Sequence, residues 1–196
     1  LGEHFGVDRA SFYEYSKNLD QVWINNAWHH ESMSAAEVSK DPIKESSLVW
    51  LVNEFEQNGK VCISDVSTLP REASLELEAL GMKGSRSIIS MPIRQNNRLL
   101  GFITLQSKMK KTEWAKDEQN LLMLVTNALA DAILKVESEK KITYMAYYDA
   151  LTGLANRTYF GLQLDKMIEL ARRKNKLTGV LFFDLDEFKS VNDTMG

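Results

Sequence analysis

From Asp117 to about Tyr144 the chain holds neither proline nor glycine, and within that run Leu122, Val125, Leu129, Ala132 and Val136 recur at alternating spacings of three and four. Such a run is one continuous helix with an apolar stripe, so it divides whatever lies before it from whatever follows. The spacing is that of a two-helix coiled-coil seam, which predicts a parallel helix pair joining two copies of the chain. The same stripe over Leu121 to Leu129 suits packing against the chain's own sheet equally well. Past Val136 that second arrangement has less to offer, because Lys135 to Lys141 is dense in charge, as in an exposed connector.

The first ~110 residues predict an antiparallel sheet with helices packed on it, an α+β arrangement. An apolar run at Ser11 to Tyr15 precedes an extended run in which Val22, Ile24 and Trp28 share one face. Leu48, Leu51, Val52 and Phe55 recur at helical spacing until Asn58-Gly59 stops the helix. Val61-Cys62-Ile63 is a short strand. Pro70 opens a helix with Ala73, Leu77 and Leu80 on one face, and Gly81 closes it. Strands over Ser87 to Ile93 and Leu99 to Gln106 flank Gln95-Asn96-Asn97-Arg98 and are expected to pair as a hairpin.

Composition narrows the function classes. The 24 basic and 27 acidic residues of the 196 leave a net charge of -3, which gives no electrostatic footprint for nucleic acid. Hydrophobic residues at 44% and charged residues at 26% are the balance of a globular protein. One cysteine, Cys62, excludes an internal disulfide framework and suits a reducing compartment. No apolar run approaches the ~20 residues of a membrane span, and the N-terminus lacks a signal pattern, so a cytoplasmic location is expected, with no membrane or nucleic-acid partner.

The chemistry sits near the C-terminus. Val180, Phe182, Asp184 and Asp186 alternate with Leu181, Phe183 and Leu185, so the segment reads as a strand ending in two carboxylates on one side, about 7 Å apart. Mg²⁺ takes one or two protein carboxylates along with phosphate oxygens and water, and paired ions of this kind steady a phosphoryl displacement. If a helix starts after Asp186, its free amides face the same place and favour phosphate. An isolated D-x-D is weak, since Asp186 could simply cap that helix. The compound pattern is specific: Asp149-x-Leu151-Thr152-Gly153-Leu154-x-Asn156-Arg157, then Phe182-Phe183-Asp184-Leu185-Asp186, Phe188-Lys189 and Asn192-Asp193.

That pattern resembles the opening part of a GGDEF domain, the domain that joins two GTP into cyclic di-GMP. The order of elements before it resembles a GAF domain over roughly residues 5 to 134, carried by Ile63-Ser64-Asp65-Val66, Leu69-Pro70-Arg71-Glu72-Ala73, Gly81 with Ser85 to Ser87, Met91-Pro92-Ile93 and Leu100-Gly101-Phe102-Ile103. Glu113-Trp114 and Asp117-Glu118 leading into the long helix fit as well. The resulting layout is a GAF sensor domain over 1–116, its opening helix expected to be truncated, a linker helix over 117–147, and part of a GGDEF domain with a ferredoxin-like palm over 148–196.

The resemblance implies roles. Asp184 becomes a metal-binding carboxylate with Asp186 as a second candidate, and Leu185 a metal ligand through its backbone carbonyl. The amides of Glu187, Phe188 and Lys189 contact the triphosphate, and Asn192 binds the guanine. Asp149 to Arg157 is the turn that seats the linker helix, with Asp149 and Arg157 structural. Mg²⁺ and GTP follow as cofactor and substrate of the parent protein, and a second copy of the chain as its partner, because two GTP must meet. The family's G-H-x-x-G-D segment begins at Gly196, and the G-G-[DE]-E-F loop and R-x-x-D site are absent from these residues. The fragment is therefore expected to be inactive, Val180 to Leu185 to lack sheet partners, and residues after about Tyr147 to be disordered, rearranged or docked on a neighbour.

Two alternatives stand beside a diguanylate cyclase with a sensory GAF domain. One is a degenerate GTP-binding GGDEF domain regulating a phosphodiesterase; the other is a GAF domain that dimerises without ligand. The GAF ligand is unknown, and the loop before the hairpin makes Arg86 and Ser87 the residues to touch one. Cys62 is expected to be a plain buried thiol rather than a bilin anchor, and His29 and His30 a surface turn, since adjacent residues of a strand point to opposite faces. Trp23, Trp28, Trp50 and Trp114 are expected in the core or at its rim, and Met82 and Met91 in the core.

Overall fold

The computed structural model describes residues 1–16, 18, 20–31, 41–108, 113–184, 186, 193 and 194. These fall into two units, Leu1–Val136 and Glu137–Gly196. The division lies inside the long helix.

In the first unit six antiparallel strands form one sheet in the order β3-β2-β1-β6-β5-β4. The strands are β1 (Arg9–Tyr15), β2 (Gln21–His29), β3 (Ile43–Lys44), β4 (Val61–Ile63), β5 (Ser87–Gln95) and β6 (Arg98–Ser107), and the helices α1 (Gly2–Phe5), α2 (Val49–Asn58), α3 (Arg71–Ala79) and the start of α4 (Lys116–Tyr147). Both faces of the sheet are covered. On one, Tyr13, Tyr15, Ile88 and Phe102 pack with Leu51 and Phe55 of α2 and Leu77 of α3. On the other, Ala10, Ile89, Ile103 and Leu105 pack with Phe5, and with Leu122 and Ala130 of α4. Met82 and Met91 lie in these cores and Trp114 is buried, its indole N–H donating to the Ile63 carbonyl. Trp23, Trp28 and Trp50 are half-buried.

Local signals explain most of these elements. Gly59 stops α2 in the left-handed region at φ 69. Asn96 and Asn97 both take positive φ, 48 and 64, which is the two-residue turn whose twist matches a hairpin. A Cβ on Gly101 would lie 2.2 Å from the Tyr13 carbonyl oxygen, so glycine is what lets β6 approach β1 there. Pro70 stands at the cap before α3 rather than inside its first turn.

Two expectations are corrected, and an alternative left open for α4 is decided. Val22 and Ile24 belong to one core and Trp28 to the other, because the β1–β2 register shifts between Phe12 and Tyr13 and skips Asn25. One extra residue in a strand exchanges the faces of everything beyond it. Cys62 is exposed: in β4, an edge strand, Val61 and Ile63 turn inward and the thiol turns out. In α4 the buried stripe is Leu122, Thr126 and Ala130 with Val125, Leu129 and Ile133 beside it, against the domain's own sheet. Leu122, Val125 and Leu129 are thus not a free seam, while Ala132 and Val136 are exposed.

In the second unit the last turns of α4 lead through a tight turn into α5 (Arg157–Arg173). Tyr148–Arg173 is therefore a bonded turn and a regular helix, in contrast to the disorder that was one of the outcomes expected past Tyr147. Residues 176–184 have no regular structure, and Leu181, Phe182 and Phe183 are exposed. The strand expected over Val180 to Leu185 is not formed among the described residues, because a strand exists through its ladder and no described segment pairs with it.

Candidate functional site

The Asp149 to Arg157 segment is the best-organised part of the second unit. The Asp149 carboxylate accepts from the Thr152 amide (2.8 Å), the Thr152 hydroxyl (2.8 Å) and the Leu151 amide (3.2 Å). Those bonds, the Thr152 amide first, hold its carboxyl below the usual carboxylate range. The Asp149 amide donates to the Leu154 carbonyl, and Gly153, at φ 69, returns its amide to the Asp149 carbonyl. Asn156 does two jobs. Its side-chain oxygen caps α5 by accepting from the Tyr159 amide (3.0 Å), and its side-chain nitrogen donates to the Ala146 carbonyl at the end of α4 (2.8 Å). Asn156 thereby couples the exit of one helix to the start of the next. The sequence pattern placed Asn156 in the motif, and its N-cap role was missed although Asn before a helical run is a legible signal.

Asp184 and Asp186 are both exposed, Asp184 at the end of the irregular segment. Leu185, Glu187, Phe188, Lys189 and Asn192, which the resemblance made metal and GTP contacts, lie outside the described residues. Among the described residues no three of His, Cys, Asp and Glu come together as a metal site. The carboxylate of Asp184 and the carbonyl of Leu185 are hard oxygen donors of the type Mg²⁺ takes, so the donor chemistry fits. When bound, such an ion neutralises phosphate charge.

In the first unit Arg86 is exposed and Ser87 fully buried. The Arg86 carbonyl accepts from the Val66 amide, and the Arg86 amide donates to the Ser107 carbonyl. Cys62 stands at the sheet edge, its thiol pushed up by partial burial, an effect partly offset by Lys60. His29 closes β2 and is exposed, as is His30, whose amide donates to the Asp8 carbonyl.

A polar group that sequence reading did not single out lies beneath α3. Arg9 and Gln106, directly opposite each other in the β1–β6 register, are each 2% exposed. Arg9 Nε donates to Ser11 Oγ (3.0 Å) and one terminal nitrogen to the Gly81 carbonyl (3.2 Å), while Ser85 Oγ donates to Gln106 Oε1 (3.2 Å). The other terminal nitrogen of Arg9 and Nε2 of Gln106 have no hydrogen-bond partner among the described residues. Arg9 stands between Asp8 and Ala10 at the very start of β1, so no local pattern marks it as buried.

A sheet covered on both faces by helices, from which a long helix runs on to a capped turn and a second helix, defines an α+β domain followed in the chain by a separate unit. The GAF domain family matches residues 1–133, and the chain belongs to that family. Residues 146–196 match the family described as diguanylate cyclase, GGDEF domain. Among curated relatives, diguanylate cyclase DgcP of Escherichia coli is 28% identical over 120 residues, 58% of this chain and 35% of its own length. Cyclic di-GMP phosphodiesterase NbdA of Pseudomonas aeruginosa is 37% identical over 87 residues, 42% of this chain and 11% of its own. Diguanylate cyclase DgcS of Shewanella oneidensis is 31% identical over 94 residues, 48% and 31%. The chain thus spans a third or less of the length of most of these relatives. Among solved structures, a methyl-accepting chemotaxis protein segment aligns with TM-score 0.58 at 14% identity, covering 71% of this chain and 85% of that one. The GAF domain of an Acinetobacter phosphoenolpyruvate-protein phosphotransferase aligns at 0.54 and 12%, covering 71% and 78%. At these identities the structures share the fold. No helix among the described residues is long and apolar enough to cross a membrane.

Proposed function

We propose that these residues are the sensory and connecting part of a diguanylate cyclase, in which a GAF domain controls a GGDEF domain that condenses two GTP into cyclic di-GMP. The observation that carries this reading is α4 together with its exit. A single 32-residue helix starts in the GAF core and ends in the turn that Asp149 and Asn156 bond shut at the start of the GGDEF match. In the parent, Asp184 with the Leu185 carbonyl, and Asp186 beside them, would hold Mg²⁺. The amides of Glu187, Phe188 and Lys189 would take the triphosphate and Asn192 the guanine. Two copies of the chain are needed to bring two GTP together, so dimer geometry is the quantity a sensor would control. Residues 1–196 alone lack a G-G-[DE]-E-F sequence and have no strand at 180–184 on which to align substrate, so catalysis by placement is not available to them. A cytoplasmic location follows from the nucleotide substrate.

The experiment is incubation of the full-length protein, and of residues 1–196 separately, with GTP and Mg²⁺. Cyclic di-GMP from the first and none from the second is the expected result. Relatedness to a phosphodiesterase supports a second reading, a regulatory GGDEF domain. A full-length protein that leaves GTP intact and opens cyclic di-GMP to the linear dinucleotide would establish it instead.

A further inference from the structure

Arg9 is a permanently charged side chain placed where water does not reach it. A guanidinium does not shed its proton in a protein, and taking an ion out of water costs several kcal/mol unless its charge is met. No ion pair of the described residues involves Arg9. The neighbouring Asp8 points to the other face of β1, where it accepts from Ser107 Oγ and the Lys108 amide. The Gly81 carbonyl lies at the C-terminal end of α3, and a helix end supplies at most about half a negative charge. Among the described residues the rest of the charge on Arg9 is unmet.

From this geometry we propose that Arg9 and Gln106 form a binding site for a small organic monocarboxylate on the α3 face of the sheet. Two N–H donors without partners among the described residues, from residues directly opposite on adjacent strands, suit the two oxygens of one carboxylate. Ser11 and Gly81 hold the guanidinium in place, and Ser85 orients the Gln106 amide. One cation among neutral donors matches a single negative charge and not a phosphate dianion. The neighbours Leu80, Met82 and Ile88 are apolar and buried, so the body of the ligand is apolar too. This site does not depend on the cyclase reading, since binding is read on the sensor domain itself. Turning the Gln106 amide by half a turn would direct its oxygen toward Arg9 and its nitrogen toward Ser85. That closed network is the competing arrangement, and it still leaves Arg9 without a counter-ion among the described residues.

The test is thermal unfolding of residues 1–196 in Tris chloride. Sodium butyrate, sodium benzoate and sodium phosphate are each titrated against sodium chloride of equal ionic strength. At least one carboxylate should raise Tm saturably, by about 5 °C once it is in ~100-fold excess over its Kd, and Arg9→Met should abolish the response. Gln106→Glu supplies the carboxylate from within: it should raise Tm in carboxylate-free buffer and remove the response to added ligand. A wild-type chain indifferent to both carboxylates, or a Gln106→Glu chain no more stable than wild type, would overturn the site in favour of the closed network. A phosphate response equal to the best carboxylate response would overturn the monocarboxylate assignment.

Discussion

Glu76 lies in the contact between two helices, 9% exposed, and its carboxylate takes the Trp50 amide at 2.8 Å and the Leu51 amide at 2.9 Å. Those are amides of the first turn of α2, whose own cap residue, Leu48, has no side-chain acceptor. A residue of α3 therefore does what a Ser or Asp at the cap ordinarily does, and it adds negative charge at the positive end of the helix dipole. Glu76→Ala should lower unfolding stability by about 2–3 kcal/mol and Glu76→Gln by about half that, measured by urea denaturation. Tyr13 offers a pH test. Its hydroxyl donates to the Leu80 carbonyl at 2.6 Å, and burial, partly offset by Arg9 and Ser11, pushes its pKa from 10.0 up to about 12. The unfolded chain loses this proton first, so the contribution is complete below pH 10 and is lost as pH rises toward 12. Tm should fall over that window, and less steeply in Tyr13→Phe.

At the scale of elements, the two sides of α4 separate cleanly. Leu122 is fully buried against the sheet, whereas Leu124 is 62% exposed. Leu122→Ala should cost about 2–4 kcal/mol through the cavity it leaves. Leu124→Ala should stay within about 0.5 kcal/mol, both read by denaturation at low protein concentration. A seam drawn from spacing alone did not separate these, because a helix resting on a sheet and a helix pairing with another bury stripes of nearly the same period. The side of α4 turned to the sheet follows from where Trp114 and the Ala115 cap set its start. Trp114 anchors to the Ile63 carbonyl, and the Ala115 amide donates to Glu118. The helices and the hairpin were legible for the opposite reason. Gly59, Gly81 and the Asn96-Asn97 pair impose backbone conformations that their own chemistry permits, whatever packs around them.

For the molecule as a whole, stability should be uneven. The central strands β1, β6 and β5 are laddered on both sides and covered on both faces, while residues 176–184 have no ladder. Hydrogen exchange should find the amides of Phe102, Ile103 and Leu105 among the slowest, and those of Leu177 to Phe183 exchanged within seconds. Protection in the latter segment equal to that of α5 would contradict the irregular conformation. By itself the sequence determined the order of elements, both family likenesses and the Asp149 to Arg157 turn, since each rests on residues whose local chemistry acts over a few positions. Tertiary structure alone decided the rest: the exchange of faces at the Asn25 bulge, the exposure of Cys62, the capping of α2 by Glu76, and the meeting of Arg9 with Gln106. These depend on partners up to ninety-seven residues apart in the register of β1 and β6, and register is settled only when the sheet closes over its two cores.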